Sequence, residues 1–121
     1  MAAYKILVAS NTSNVYTLSF EPDSASLKII SETEIGPQPS WIDFVSGLSD
    51  RRVIGGVHGK DGGVFIAQVD ENTGRLDVLA RANTGGGPCH VKAVGKGREI
   101  VAAHVCLHVE LLQRRSHLCS R

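Results

Sequence analysis

The chain has 121 residues, 42% of them hydrophobic and 21% charged, with a formal net charge of +1. This fits one globular domain and excludes a disordered polyelectrolyte. The near-neutral balance argues against nucleic acid as partner. No apolar run approaches the ~20 residues of a membrane span, and the opening MAAYKILVAS lacks the apolar stretch and cleavage pattern of a secretory signal. Three cysteines are an odd number, so no disulfide framework is expected and the cytoplasm is the expected compartment. The sequon Asn11-Thr12-Ser13 is then idle.

In chain order, short segments of alternating apolar residues follow one another. Residues 5–10 (KILVAS), 15–21 (VYTLSFE) and 27–34 (LKIISETE) read as strands. After Gly-Pro-Gln-Pro come 41–45 (WIDFV), 52–57 (RVIGGV), 64–70 (VFIAQVD) and 76–82 (LDVLARA). A Gly-rich stretch precedes 90–94 (HVKAV) and 99–104 (EIVAAH). Val, Ile, Tyr and Phe dominate, and Gly, Pro, Asp, Asn or Ser bound each segment. In the connection Asp70-Glu71-Asn72-Thr73-Gly74-Arg75, Asn72 or Gly74 supplies the positive φ of the turn. Asp61-Gly62-Gly63 reads as another hairpin. No helical stretch precedes residue 105.

The strands repeat. At an offset of 49 residues, Val15-Tyr16 falls on Val64-Phe65, Leu27 on Leu76, Ile29 on Val78, Gly36 on Gly85, Pro39 on Pro88, and Trp41-Ile42 on His90-Val91. A period of ~40–50 residues with four strands per unit is the sequence pattern of a β-propeller blade; a β-sandwich with evenly spaced strands is the competing fold. Pro39 and Pro88, each ahead of a short strand, mark the start of an innermost strand. The fold expected is all-β, an incomplete β-propeller of about two four-stranded blades: three strands of one blade, a full blade, and two strands of a third. Residues 1–105 form the blades. Residues 106–121 form an atypical tail with two of the three cysteines and no glycine; Leu107, Leu111 and Leu112 would share one face of a short C-terminal helix.

Gly86-Gly87-Pro88-Cys89-His90-Val91, ahead of Val101-Ala102-Ala103, resembles the second-blade start of the seven-bladed propeller lactonases. That family includes 6-phosphogluconolactonase and the carboxy-cis,cis-muconate cyclases. Pro39-Ser40-Trp41-Ile42, Gly62-Gly63-Val64-Phe65, Asp70 with Thr73-Gly74-Arg75-Leu76, and Tyr4-Lys5-Ile6-Leu7-Val8 fit the same family. The resemblance covers about residues 4–103 and implies the N-terminal part of a longer propeller. It further implies an enzyme hydrolysing or forming a sugar-acid or muconate lactone, without cofactor, on a small anionic lactone or carboxylate. The family's His, Glu and Arg groups belong to later blades, so no catalytic residue is assigned here and the chain by itself is expected to be inactive. A non-catalytic protein-interaction module is the alternative, since fold does not fix function. Open sheet edges would favour self-association.

His90, at the start of an innermost strand, is the candidate substrate-binding residue, against the alternative of a ring bonded to nearby loop carbonyls. Cys89 beside it does not make a Cys/His nucleophile pair, because adjacent strand residues face opposite ways. His104, Cys106 and His108, with His117 and Cys119, have no ligand-spaced loop on a second element, so no metal is expected. Gly85-Gly86-Gly87-Pro88 leads into a strand and is not a phosphate loop. Asp70-x-Asn72-x-Gly74 is too short for a calcium loop and lacks the later Glu. Glu21, Asp23, Glu32 and Glu34 read as a solvated face.

Overall fold

The computed structural model describes residues 3–47, 51–85 and 87–104. Among these, nine strands follow in order: β1 (Tyr4–Val8), β2 (Asn14–Glu21), β3 (Ser26–Glu34), β4 (Pro39–Phe44), β5 (Arg52–Val57), β6 (Gly63–Val69), β7 (Leu76–Asn83), β8 (Pro88–Val94) and β9 (Glu99–His104). They pair antiparallel into three sheets, β1-β2-β3, β4-β5-β6-β7 and β8-β9. The three-four-two grouping expected from the repeat is the one observed: an all-β, incomplete β-propeller. The tail 106–121 and the helix expected in it lie outside the described residues.

The repeat extends to the irregularities of the backbone. The register shifts between Thr17 and Leu18 on β2, and between Ile66 and Ala67 on β6. It shifts again between Pro39 and Trp41 on β4, and between Pro88 and His90 on β8. Both pairs of bulges are separated by the same 49 positions as the sequence repeat. Bulges re-aim the side chains beyond them, so blades sharing bulge positions present the same faces to their neighbours.

Three strand limits differ by two residues from those read in the sequence, for local reasons. The first strand stops at Val8 because Ser10 is already turning: its hydroxyl accepts from the Thr12 N–H (3.2 Å) and donates to the Asn14 carbonyl (2.8 Å). Pro39 and Pro88 are the first residues of β4 and β8, both buried. A proline has no N–H to offer the ladder and is tolerated at a strand's first position.

Two apolar clusters hold the sheets face to face. Val15, Ile35, Val53, Val57, Phe65, Ala67 and Leu76 fill the space between the first and second sheets. Val45, Ile54, Val64 and Val91, with Trp41, Ile66, Ala93, Ile100 and Ala102 at their margin, fill that between the second and third. Buried polar groups cross the first junction. The Thr17 hydroxyl donates to the Gly74 carbonyl at 2.6 Å, and Thr33 Oγ1 accepts from the Leu76 N–H at 3.0 Å. The central blade is thus apolar on both faces, while the first sheet leaves Tyr4, Ile6, Val8, Leu27 and Ile29 exposed. The register puts Tyr4, Phe20 and Leu27 in one row and Ile6, Leu18 and Ile29 in the next, on a single face.

Candidate functional site on the inner edges of the blades

Strands β4 and β8 are the innermost strands of successive blades. Two of the contacts between them join repeat-equivalent residues. The rings of Trp41 and His90 stack with centroids 4.2 Å apart and planes 25° from parallel. Two residues further on, Lys92 Nζ lies 3.9 Å from Asp43 Oδ2. Equivalent residues of neighbouring blades can touch only near the axis relating the blades, because the sheets diverge outward from it. Positions 41, 43, 90 and 92 therefore line that axis.

The inner edge is built stiffly. Ser40 Oγ donates to the Pro88 carbonyl at 2.5 Å, tying the start of β4 to the start of β8. Gly56 on β5 permits this approach, since a Cβ there would lie 2.6 Å from the Pro88 ring. Asp43 Oδ1 accepts from the Phe44 N–H at 2.8 Å, which fixes the carboxylate that faces Lys92. A cleft of about 290 Å³ opens on the other side of Asp43, between β1 and β4, lined by Lys5, Leu7, Ile42, Asp43 and Phe44 among others.

His90 is exposed, and its ring stacks on Trp41 rather than on loop carbonyls. Among the described residues no hydrogen bond takes either of its nitrogens. Cys89 is exposed and free. His104 Nε2 pairs with Thr84 Oγ1 at 2.8 Å. Register makes His104 the counterpart of Val57, opposite Pro88 and Pro39 respectively. A polar Thr84–His104 pair thus replaces the apolar Ile35 and Val57 of the preceding junction. Cys106, His108, His117 and Cys119 lie outside the described residues. Among the described residues no three His, Cys, Asp or Glu side chains converge on a metal position.

The Asp70 segment is a turn: Asp70 Oδ1 accepts from the N–H groups of Thr73 (2.7 Å) and Asn72 (2.9 Å), and Gly74 takes the positive φ of 76°. The Thr73 backbone hydrogen bond, followed by those of the Thr73 side chain and the Asn72 backbone, holds the Asp70 carboxyl below its ordinary value. Sequence reading passed over Asp43 and Lys92. The signal was present, since the 49-residue offset aligns an acid with a base on the innermost strands.

The family model described as "Lactonase, 7-bladed beta-propeller" matches residues 5–107. The chain belongs to the seven-bladed β-propeller lactonase family. Among solved structures, this propeller lactonase chain superposes on a 6-phosphogluconolactonase candidate from Bacteroides fragilis with a TM-score of 0.69 at 23% identity, covering 84% of this chain and 29% of that one. A similar candidate from Bacteroides uniformis gives 0.69 at 22%, covering 86% and 31%. Sqt1 of Saccharomyces cerevisiae gives 0.62 at 15%, covering 82% and 27%. At these identities the likeness is one of fold. The chain spans about 30% of the length of the two lactonase candidates. No curated protein sequence matches it.

Proposed function

We propose that the protein presents the inner wall of a lactonase-type propeller to a small anionic lactone or carboxylate, with His90 as a substrate-binding residue. The reaction class is hydrolysis or formation of a sugar-acid or muconate lactone. On this reading the protein is a hydrolase or isomerase of carbohydrate metabolism, acting in the cytoplasm. The observation that carries the reading is His90 itself: an imidazole with no hydrogen-bond partner among the described residues, exposed on the axis side and braced by Trp41, in a chain matched to the lactonases over residues 5–107. Opening a lactone needs a polarised carbonyl, a water and a positioned base. His90 and Lys92 offer donors for binding, and the remaining chemical groups are expected from other blades of the propeller.

Trp41, the sole tryptophan, reports on this site, because the imidazole stacked on it alters its emission. Titration with a sugar δ-lactone and with its ring-opened acid is expected to give a saturable fluorescence change that His90→Ala abolishes. Hydrolysis by this chain is expected not to exceed the spontaneous rate. No fluorescence response to either compound would overturn the reading, and turnover lost on His90→Ala would raise His90 to a catalytic residue. A second reading, self-association, is favoured by the apolar face of the first sheet, where Leu27 and Ile29 are 57% and 64% exposed.

A further inference from the structure

We propose that His90 and Lys92 form an anion subsite on the axis-facing side of β8, one that takes a carboxylate or phosphate group of a small molecule. The inference deepens the reading above and rests on it: it names the part of the substrate that is held and the atoms that hold it. The two residues are i and i+2 on one strand, so they share a face about 6.6 Å apart along it. Each is placed by its counterpart one blade earlier, His90 by the ring of Trp41 and Lys92 by the carboxylate of Asp43.

Among the described residues, neither group is saturated. At 3.9 Å the Lys92–Asp43 contact is an ion pair but not a hydrogen bond, and the two side chains are 59% and 40% exposed. The ammonium therefore keeps its three N–H donors for a ligand. Exposed pairs of this kind are weak and exchange readily for a better acceptor. An anion between the two residues would receive a charge-assisted hydrogen bond from Lys92 and a second from an imidazole N–H. Asp43 plays the opposing part. Its carboxylate accepts from the Phe44 N–H and lies beside Lys92, so it repels the incoming anion and lowers the affinity.

The test uses the full 121-residue chain and Trp41 fluorescence, with inorganic phosphate and acetate titrated separately against sodium chloride at matched ionic strength. A saturable change with phosphate or acetate, absent with chloride, is expected, and the arm that responds identifies the anion. Lys92→Ala should weaken binding about tenfold, the size of one charge-assisted hydrogen bond. Lys92→Arg should preserve it, and Asp43→Asn should tighten it. Lys92 is exposed, so these variants leave the fold intact. A response that follows ionic strength alone, or is unchanged in Lys92→Ala, overturns the proposal. Lactone binding without any anion response removes the subsite and leaves the lactonase reading standing; anion binding without lactone binding supports the subsite and removes that reading.

Discussion

Thr17 shows how one side chain can decide a junction. It is buried, and its hydroxyl is spent on the Gly74 carbonyl of the next blade. Thr17→Val keeps the shape but leaves that carbonyl without its partner, a loss of about 1–3 kcal/mol that urea denaturation should read. Gly74 is fixed from both sides: its φ is 76°, and a Cβ would lie 2.5 Å from Thr17 Cγ2. Asp70, in the same turn, carries a pH dependence. Its carboxyl is held below the ordinary value, chiefly by the Thr73 backbone N–H. The ionised form is therefore favoured in the folded chain. Its stabilising contribution is complete above the ordinary carboxylate value and is lost as pH falls through the lowered one. Acid titration followed by circular dichroism should show an earlier transition on lowering pH in the wild type than in Asp70→Asn, measured relative to each protein's stability at neutral pH.

At the scale of elements, the inter-blade seams carry the informative differences. Gly56→Ala would drive a methyl into the Pro88 ring, displacing the start of β8 and with it His90. Overpacking of this kind costs about 1–3 kcal/mol, and a shift in Trp41 emission should accompany the lowered stability. The seam between the second and third sheets also exchanges the apolar Ile35 and Val57 for Thr84 and His104, bonded at 2.8 Å. His104→Val alone leaves the Thr84 hydroxyl without this partner, whereas Thr84→Ile with His104→Val restores the apolar arrangement. The double variant should be more stable than either single one, and a thermal double-mutant cycle checks the coupling.

For the whole molecule, the decisive feature is a sheet with one covered and one open apolar face. The open rows hold Tyr4, Phe20 and Leu27, and Ile6, Leu18 and Ile29. Their counterparts one blade on include Ala67 for Leu18 and Leu76 for Leu27, both buried. A monomer seldom exposes a contiguous apolar patch above roughly a few hundred Å². Concentration-dependent self-association is expected, and Leu27→Lys with Ile29→Lys should suppress it in sedimentation or size-exclusion measurements. A concentration-independent monomer would show that this face needs no cover.

The sequence by itself determined the strands, their grouping and the family. The strands and their grouping rest on local alternation, turn residues and a 49-residue repeat, and the family on the resemblance carried by short motifs such as residues 86–91. It placed His90 on an innermost strand for the same reason. It did not foresee the stack on Trp41 or the Asp43–Lys92 pair, nor that His104 would bond Thr84. Those contacts join residues 20 to 49 positions apart in the chain. Alternation tells which face of its own sheet a side chain occupies. Which residue of the neighbouring blade it meets depends on how the sheets rotate about their common axis and on the bulges that re-aim the chain, and only the tertiary structure decides that.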